Sequence, residues 1–538
     1  MNKLWYGDNL TIMQRQMPKH CVDLIYLDPP FKSDANYNLL YKNMTGKPVP
    51  DQAEAFFDTW ELDAYKLEVA RTMPVLMREH GIDDFYVDFW QLWIKALKNT
   101  QPELLAYIIY MVQRLIHMKS LLRPNGAIYL HCDPTASHYL KIMMDAIFGH
   151  QNFRNDIIWK RTTTHSDSKT WSRVSDNILF YTIGKTFTWN TPREPHSDEY
   201  RETKYRHDDG DGKIYRLDNM TSPNPRPNMM YEWRGFPFPL KGWRYSKETM
   251  ARLDVEGRIW YPTNKDGSFD HSRRPQLKRY LSESPGGVMG NIWTDISPVN
   301  SQAAERLGYP TQKPLALLDR IIQASTNKGD VVFDPFCGCG TTIYSAIKNE
   351  RRWIGCDVAI LSVRLIRDTL KSERWRLVEG RHFEVDGIPV GVEQAEELFK
   401  SDPFQFQHWF VERVGGYPMQ KKVADRGIDG RLYFETKDGL GQMILSVKGG
   451  KLKPGDVRDL VGVVSREQAA MGGFLSMHEP TKAMKAEAAQ AGMFAYADVS
   501  YPRIQLLSVR DVLEGKRTLA TPTRVASRVA TSQGSLPL

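Results

Sequence analysis

Short runs of consecutive apolar residues alternate with longer stretches of helical period along most of the chain. Residues 22–27, 127–131, 331–333 and 353–356 are mostly apolar and rich in β-branched or aromatic side chains, and three of these runs end at an acid: Asp28, Asp334 and Asp357. Runs of that length without polar alternation predict strands buried on both faces of a parallel sheet. Residues 156–160 and 177–182 predict two further strands. Helical spacing covers 10–17, 106–122, 137–148 and 315–326, with a clear stop at Arg123-Pro124-Asn125-Gly126. Residues 1–31 thus read as a turn, a helix and a strand, and 32–120 as a loop followed by helices. The aromatic-rich stretches 56–60 and 85–97 read as helix-core packing.

Two changes of pattern divide the chain further. From 188 to 295 regular periodicity fades and basic, aromatic and proline residues interleave, as in Tyr231-Glu232-Trp233-Arg234 and Lys241-Gly242-Trp243-Arg244-Tyr245. Basic groups supply phosphate contacts and planar ones supply stacking, so this region is expected to meet nucleic acid. The first periodic region closes near 385, and 386–402 reads as a linker with a short helix. A second periodic region, 403–515, predicts a helix over 405–414, strands over 431–435 and 443–447, a helix over 456–471, a strand over 473–477 and a helix over 481–491. Residues 516–538 are Ser-, Thr-, Arg- and Ala-rich without a core pattern and are expected to be disordered.

Composition changes this picture little. The chain has 538 residues, 25% charged and 41% hydrophobic, which suits a globular protein of several domains. A formal net charge of +8 is compatible with nucleic acid without requiring it. Cys21, Cys132, Cys337, Cys339 and Cys356 lack the paired spacing of a zinc site, and reduced thiols in a cytoplasmic protein are expected. The N-terminus lacks a signal h-region, and no apolar stretch is long enough to span a bilayer, so no membrane partner is expected.

Candidate chemistry gathers at two of the strand ends. Phe333-Asp334-Pro335-Phe336-Cys337-Gly338-Cys339-Gly340-Thr341 has the outline of a strand, a Gly-rich turn and a helix start, in which glycines let the backbone approach a ligand. Asp357 follows at about the twenty-residue spacing at which an acid meets ribose hydroxyls in a β-α-β unit. Far upstream, Asp28-Pro29-Pro30-Phe31 stands at the carboxyl end of a predicted buried strand, where open α/β sheets bind ligands.

With these blocks in this order, residues 1 to about 380 resemble the amino DNA methyltransferases of the β order, which act on adenine N6 or cytosine N4, particularly type III modification subunits. Asp28-Pro29-Pro30-Phe31 matches the catalytic motif, and Phe333 to Gly340 matches the cofactor motif. Residues 309–314, 122–131, 148–159, 278–281 and 291–295 also look like segments of that family. The resemblance implies an α/β fold: a Rossmann-like, S-adenosylmethionine-dependent methyltransferase sheet over 1–385, carrying an inserted DNA-recognition region over 188–295. It implies catalysis by Asp28, Pro29, Pro30 and Phe31. It implies cofactor contacts from Asp334, Phe336, Gly338, Gly340, Thr341 and Asp357, with Asp8 and Asn9 at the adenine edge and Lys313 over the pocket. An Asp in the first motif position leans towards adenine N6, with cytosine N4 as the alternative. Double-stranded DNA is the implied partner, and a restriction or defence subunit a further one. The chain carries no Walker-type loop.

Residues 403–515 resemble the Mrr-like branch of the PD-(D/E)xK endonucleases. Asp429 matches the metal-holding Asp, and Lys448 matches the Lys. Ser446 stands where that family has Glu or Gln, which weakens an Mg²⁺ site because such sites need charged oxygens. Glu412 and Glu435 are candidate replacements. Two readings stay open here: a cutting domain, or an endonuclease-like fold that only binds DNA. A non-catalytic DNA-binding regulator is the contrasting class for the whole chain.

Overall fold

The structure, a computed structural model, describes residues 2–30, 60–163, 169–300, 303, 305–307, 311–419, 427–436 and 439–522. Phe31, most of 56–60, the pair Tyr309-Pro310 and residues 523–538 lie outside the described residues. The chain begins with strand β1 (Asn2–Tyr6), helix α1 (Asn9–Arg15) and β2 (Val22–Leu27). Helices α2 (Ala64–Glu79), α3 (Asp84–Thr100) and α4 (Pro102–Leu121) precede β3 (Leu122–Cys132), α5 (Pro134–Phe148), β4 (Phe153–Lys160) and β5 (Ser175–Thr182). Next come β6 (Arg193–Glu194), α6 (Asp198–Lys204), β7 (His207–Asp208), β8 (Ile214–Asn219), α7 (Lys247–Val255), β9 (Ile259–Trp260), β10 (Gln276–Tyr280), β11 (Gly287–Val288) and β12 (Ile292–Trp293). Then follow α8 (Leu315–Ser325), β13 (Val331–Asp334), α9 (Thr341–Lys348), β14 (Arg352–Asp357), α10 (Ile360–Lys371) and β15 (Phe383–Asp386).

Among the described residues one sheet has the order β12-β4-β5-β3-β2-β13-β14-β1-β15. The run from β3 through β15 is parallel throughout, and β5 enters antiparallel to β3 and β4. Helices cover both faces, giving two cores: α1 to α5 pack on one side, and α8 to α10 on the other. This is the expected Rossmann-like α/β arrangement, and the mostly apolar, fully buried β2 and β13 sit at its centre because both their faces are covered.

β1 was expected as a turn. It forms because β14 and β15 flank it on both sides, so five residues with a polar start gain a ladder on each edge. Tertiary pairing overrides local pattern here.

Residues Thr191–Gly290 form a separate compact unit with a small sheet, β7-β8-β10-β9, and its own core of Met220, Trp243, Met250, Leu253, Ile259 and Leu277. The aromatic residues expected to stack on bases are largely spent inside it. Trp243 is fully buried and donates Nε1 to Tyr231 O, while Tyr231, Trp233 and Tyr245 pack on that core. Arg226 and Lys241 are exposed.

The C-terminal elements are α11 (Val392–Ser401), α12 (Pro403–Arg413), β16 (Tyr417–Pro418), β17 (Gly430–Thr436), β18 (Gly439–Lys448), α13 (Pro454–Arg466), β19 (Met471–Ser476), α14 (Lys482–Gln490), β20 (Met493–Tyr496), β21 (Val499–Pro502), β22 (Ile504–Ser508) and α15 (Val509–Leu513). Their main sheet runs β16-β17-β18-β19-β22. Helix α13 stops five residues short of the expected 471 because Gln468 adopts φ +53°, and Met471 opens a strand. Described packing also continues past 516: Leu519 is buried, and the Gln505 side chain exchanges hydrogen bonds with the backbone of Ala520 at 2.7 Å in each direction. These elements share a compact unit with the first sheet, and Phe406, Trp409 and Phe410 lie in one continuous core with Leu4, Ile360, Val363 and Ile366. Among the described residues no helix is long and apolar enough to cross a membrane.

Candidate active site

Parallel pairing aligns the carboxyl ends of β2, β13, β14 and β1, four neighbours in the sheet, and an acid stands at or just beyond each. These are Asp28, Asp334, Asp357 and Asp8; Asp334 and Asp357 lie far downstream of the other two in sequence. Asp334 is 3% exposed, accepts a hydrogen bond from Phe336 N at 3.0 Å and lies against the Thr342 hydroxyl. Burial pushes its carboxyl up to about 7, helped by the charges of Asp28 and Asp357. Burial also raises Asp357, to about 6, against hydrogen bonds from Ala359 N at 2.9 Å and Gly338 N at 2.8 Å. Val358 N and the Ser362 hydroxyl lie against the same carboxylate, so Asp357 is held in one orientation.

The loop between β13 and α9 is shaped by its glycines. Gly338 and Gly340 have φ +50° and +89°, and a Cβ on Gly340 would meet Ile366 Cγ1 at 2.8 Å. Gly340 caps α9, and Thr341 opens that helix, so backbone N–H groups converge at the loop. Cys337 and Cys339 are buried, and burial raises both thiols, so they are packing residues here.

A crowded set of raised carboxylates calls for a cation. S-adenosylmethionine carries a sulfonium and an ammonium, and its ribose hydroxyls match the strand-end position of Asp357. The residues present therefore fit this group.

Lys313 stands at the same strand end. Its ammonium pairs with Asp28 Oδ2, joining the segment before α8 to the end of β2. Asp8 and Asn9 also have local duties. Asp8 caps α1 through Thr11 N at 3.1 Å, and the Asn9 side chain donates to Pro335 O at 2.8 Å. Arg114, 4% exposed on α4, holds both, with Nη2 2.6 Å from Asp8 Oδ2 and Nε 2.7 Å from Asn9 Oδ1. The Asn9 amide is thus a tie between α1, α4 and the loop rather than a group turned to an adenine edge. Pro29 and Pro30 follow Asp28 as expected, and Phe31 lies outside the described residues.

Sequence reading missed Arg114, whose only signal was a lone guanidinium on an apolar helix. It also missed a buried network behind Asp28. Tyr26 Oη lies 2.8 Å from His131 Nδ1, His131 Nε2 lies 3.1 Å from Asp176 Oδ2, and Arg161 Nε lies 3.0 Å from Asp176 Oδ1. Burial alone would raise Asp176, but His131 and Arg161 hold it below the usual carboxylate range.

In the C-terminal sheet, Asp429 N donates to Leu445 O at 2.9 Å and its carboxylate accepts from Val447 N at 2.5 Å, which places it opposite Ser446. Ser446 is buried and Lys448 exposed. Neither candidate replacement acid reaches this place. Glu412 accepts from Ile360 N and Tyr6 Oη, beside the first sheet, and Glu435 pairs with Leu440 at the far end of the β17–β18 hairpin. Among the described residues no group of three His, Cys, Asp or Glu could hold a metal ion. One carboxylate already engaged by backbone does not fit Mg²⁺.

Comparisons with known proteins agree with this division. Residues 22–368 match the family described as DNA methylase. Residues 403–502 match the family described as NACHT-associated inactive Restriction Endonuclease 1. The chain is similar to the type II methyltransferase M.EcaI of Enterobacter cloacae, 32% identical over 264 residues, which cover 48% of this chain and 56% of that protein. It is similar to the Mod subunit of the type III restriction-modification enzyme StyLTI of Salmonella typhimurium, 26% identical over 390 residues, covering 65% and 51% respectively. The chain thus spans about half the length of these curated relatives. Among solved structures, the cytosine-N4-specific PvuII DNA methyltransferase aligns at 10% identity with a TM-score of 0.35, covering 71% of this chain and 88% of that one.

Proposed function

The chain belongs to the DNA methylase family, and from that premise we propose that it transfers a methyl group from S-adenosylmethionine to an exocyclic amine of double-stranded DNA, adenine N6 in particular. The observation that carries the reading is the alignment of Asp28, Asp334 and Asp357 at the ends of three adjacent parallel strands. A reacting amine and a cationic cofactor can be held side by side there.

When bound, S-adenosylmethionine supplies an electrophilic methyl on a sulfonium. The chain's own residues do the orienting. Asp334 takes the cofactor's ammonium, Asp357 takes its ribose hydroxyls, and the backbone from Phe336 to Gly340 lies along its methionine part, with Thr341 starting the helix behind. Asp28 and the Pro29 carbonyl accept hydrogen bonds from the base amine. An adenine amine has its lone pair delocalised into the ring, and two acceptors favour the geometry in which that pair points at the methyl. Pro29 and Pro30 fix φ and offer no competing N–H. Phe31 is assigned to stack on the flipped base. Lys313, paired with Asp28, orients the carboxylate. The rate then comes from positioning and fixed electrostatics, without a covalent enzyme intermediate.

The unit Thr191–Gly290 is assigned to DNA recognition through exposed cations such as Arg226 and Lys241. The C-terminal domain is assigned a restriction-endonuclease-like, Mrr-related fold that does not cut. A restriction or defence subunit remains the proposed partner, supported by similarity to a type III Mod subunit. Nucleoside analysis of DNA incubated with labelled cofactor tests the reaction: N6-methyladenine is expected, N4-methylcytosine would reassign the base, and no labelled base would overturn the reading.

A further inference from the structure

Helix α10 begins immediately after Asp357, and its start lacks a local cap. Ala359 occupies the N-cap position and has no side-chain oxygen to offer the first free N–H groups of the helix. The missing acceptor comes from the C-terminal domain. Glu412 Oε2, at the end of α12, lies 3.3 Å from Ile360 N, the first residue of α10. The same oxygen accepts from Tyr6 Oη at 3.5 Å, at the end of β1. Two residues earlier in the turn, Val358 O accepts from Gln405 Nε2 at 3.4 Å, and Gln405 is 3% exposed. Gly7 N closes the ring by donating to Asp357 O at 3.0 Å.

Gln405 and Glu412 are seven residues apart on α12, two helical turns, so they present one face to the turn 357–360. The apolar residues between them, Phe406, Trp409 and Phe410, are buried with Ile360, Val363 and Ile366 of α10. Individually the polar contacts are long. Together with that core they fix the turn from three elements at once.

We propose that Glu412 and Gln405 are positioning residues for cofactor binding: they cap helix α10 from the C-terminal domain and so hold Asp357 in place. The proposal rests on the reading of Asp357 as a cofactor ligand. It gives the endonuclease-like domain a use that needs no metal. Cutting chemistry is dispensable, whereas the α12 face against α10 is not.

The test uses the full chain and separates cofactor binding from turnover. In Glu412→Ala, the KM for S-adenosylmethionine and its equilibrium Kd rise about tenfold, the scale of a lost helix cap, while kcat at saturating cofactor changes less than about threefold. Glu412→Gln retains an acceptor oxygen and restores near-wild-type KM. Adding Ala359→Asp to Glu412→Ala supplies a local cap and recovers most of the loss, which a generic packing defect would not allow. Should Glu412→Ala fail to fold, Gln405→Ala reads the same shift at about two- to threefold. Unchanged KM in a folded Glu412→Ala, or equal loss in Glu412→Ala and Glu412→Gln, overturns the proposal. Wild-type protein that neither binds S-adenosylmethionine nor methylates DNA would instead overturn the functional reading beneath it.

Discussion

Two α/β sheets in this chain each place an aspartate at a strand end within the reach of a lysine-bearing segment, and the first also sets acids at the ends of the neighbouring parallel strands. In the N-terminal sheet Asp28 pairs with Lys313 and stands beside Asp334 and Asp357 on adjacent parallel strands. In the C-terminal sheet Asp429 lies opposite Ser446, its carboxylate accepts from Val447 N, and among the described residues no group of three His, Cys, Asp or Glu could hold a metal ion. The difference is one of convergence. Parallel strands bring several carboxyl ends to one edge, so Asp334, raised mainly by burial, also feels the charges of Asp28 and Asp357. The antiparallel β17–β18 hairpin alternates strand ends, which carries Glu435 away from Asp429.

The largest effect expected from this contrast is at Asp28. Asp28→Ala lowers kcat for methyl transfer by about 10³-fold, the cost of removing a preorganised acceptor, with cofactor Kd changed little. Retained turnover would erase the distinction between the two sheets. Asp357→Ala is next: losing hydrogen bonds to a charged group raises the cofactor Kd by about 10- to 100-fold, measured by calorimetry.

A smaller effect follows from acidity. Asp334 and Asp357 are raised to about 7 and about 6 in the free protein, and a cationic ligand binds their ionised forms. Affinity is therefore full above pH 8 and falls as pH drops through these values, by about tenfold or somewhat more between pH 8 and pH 6. A flat profile would mean that the carboxylates do not face the cation. The smallest effect belongs to the C-terminal sheet. Asp429→Asn changes methyl transfer by less than about twofold, within the range of an uninvolved polar substitution. Wild-type protein with Mg²⁺ leaves unmethylated DNA intact, and metal-dependent cleavage lost in Lys448→Ala would restore an active nuclease.

Much of the methyltransferase region is legible in sequence because its strands are buried on both faces. Such strands must be largely apolar, so residues 22–27 and 331–333 declare themselves despite the buried Asp23, and the acids that follow them do as well. β1 was not legible, since its stability lies in two ladders contributed by residues about 350 positions away. The basic and aromatic stretch 188–295 misled in a different way: Trp243 and Tyr231 look like stacking surfaces in composition but serve as the core of a small unit. A small unit needs large side chains to bury enough surface.

The sequence by itself determined the order of motifs, the glycines of the β13–α9 loop and the acids that end the strands, because each is a local requirement of backbone or charge. Only the tertiary structure decided their partners: Lys313 on Asp28, Arg114 on Asp8 and Asn9, and Glu412 on the start of α10. Those pairings join residues between about 50 and 290 positions apart, and no periodicity carries information over such separations. Hydrogen-bond demand selects them, since a buried donor without an acceptor is costly and the folded chain brings one to it.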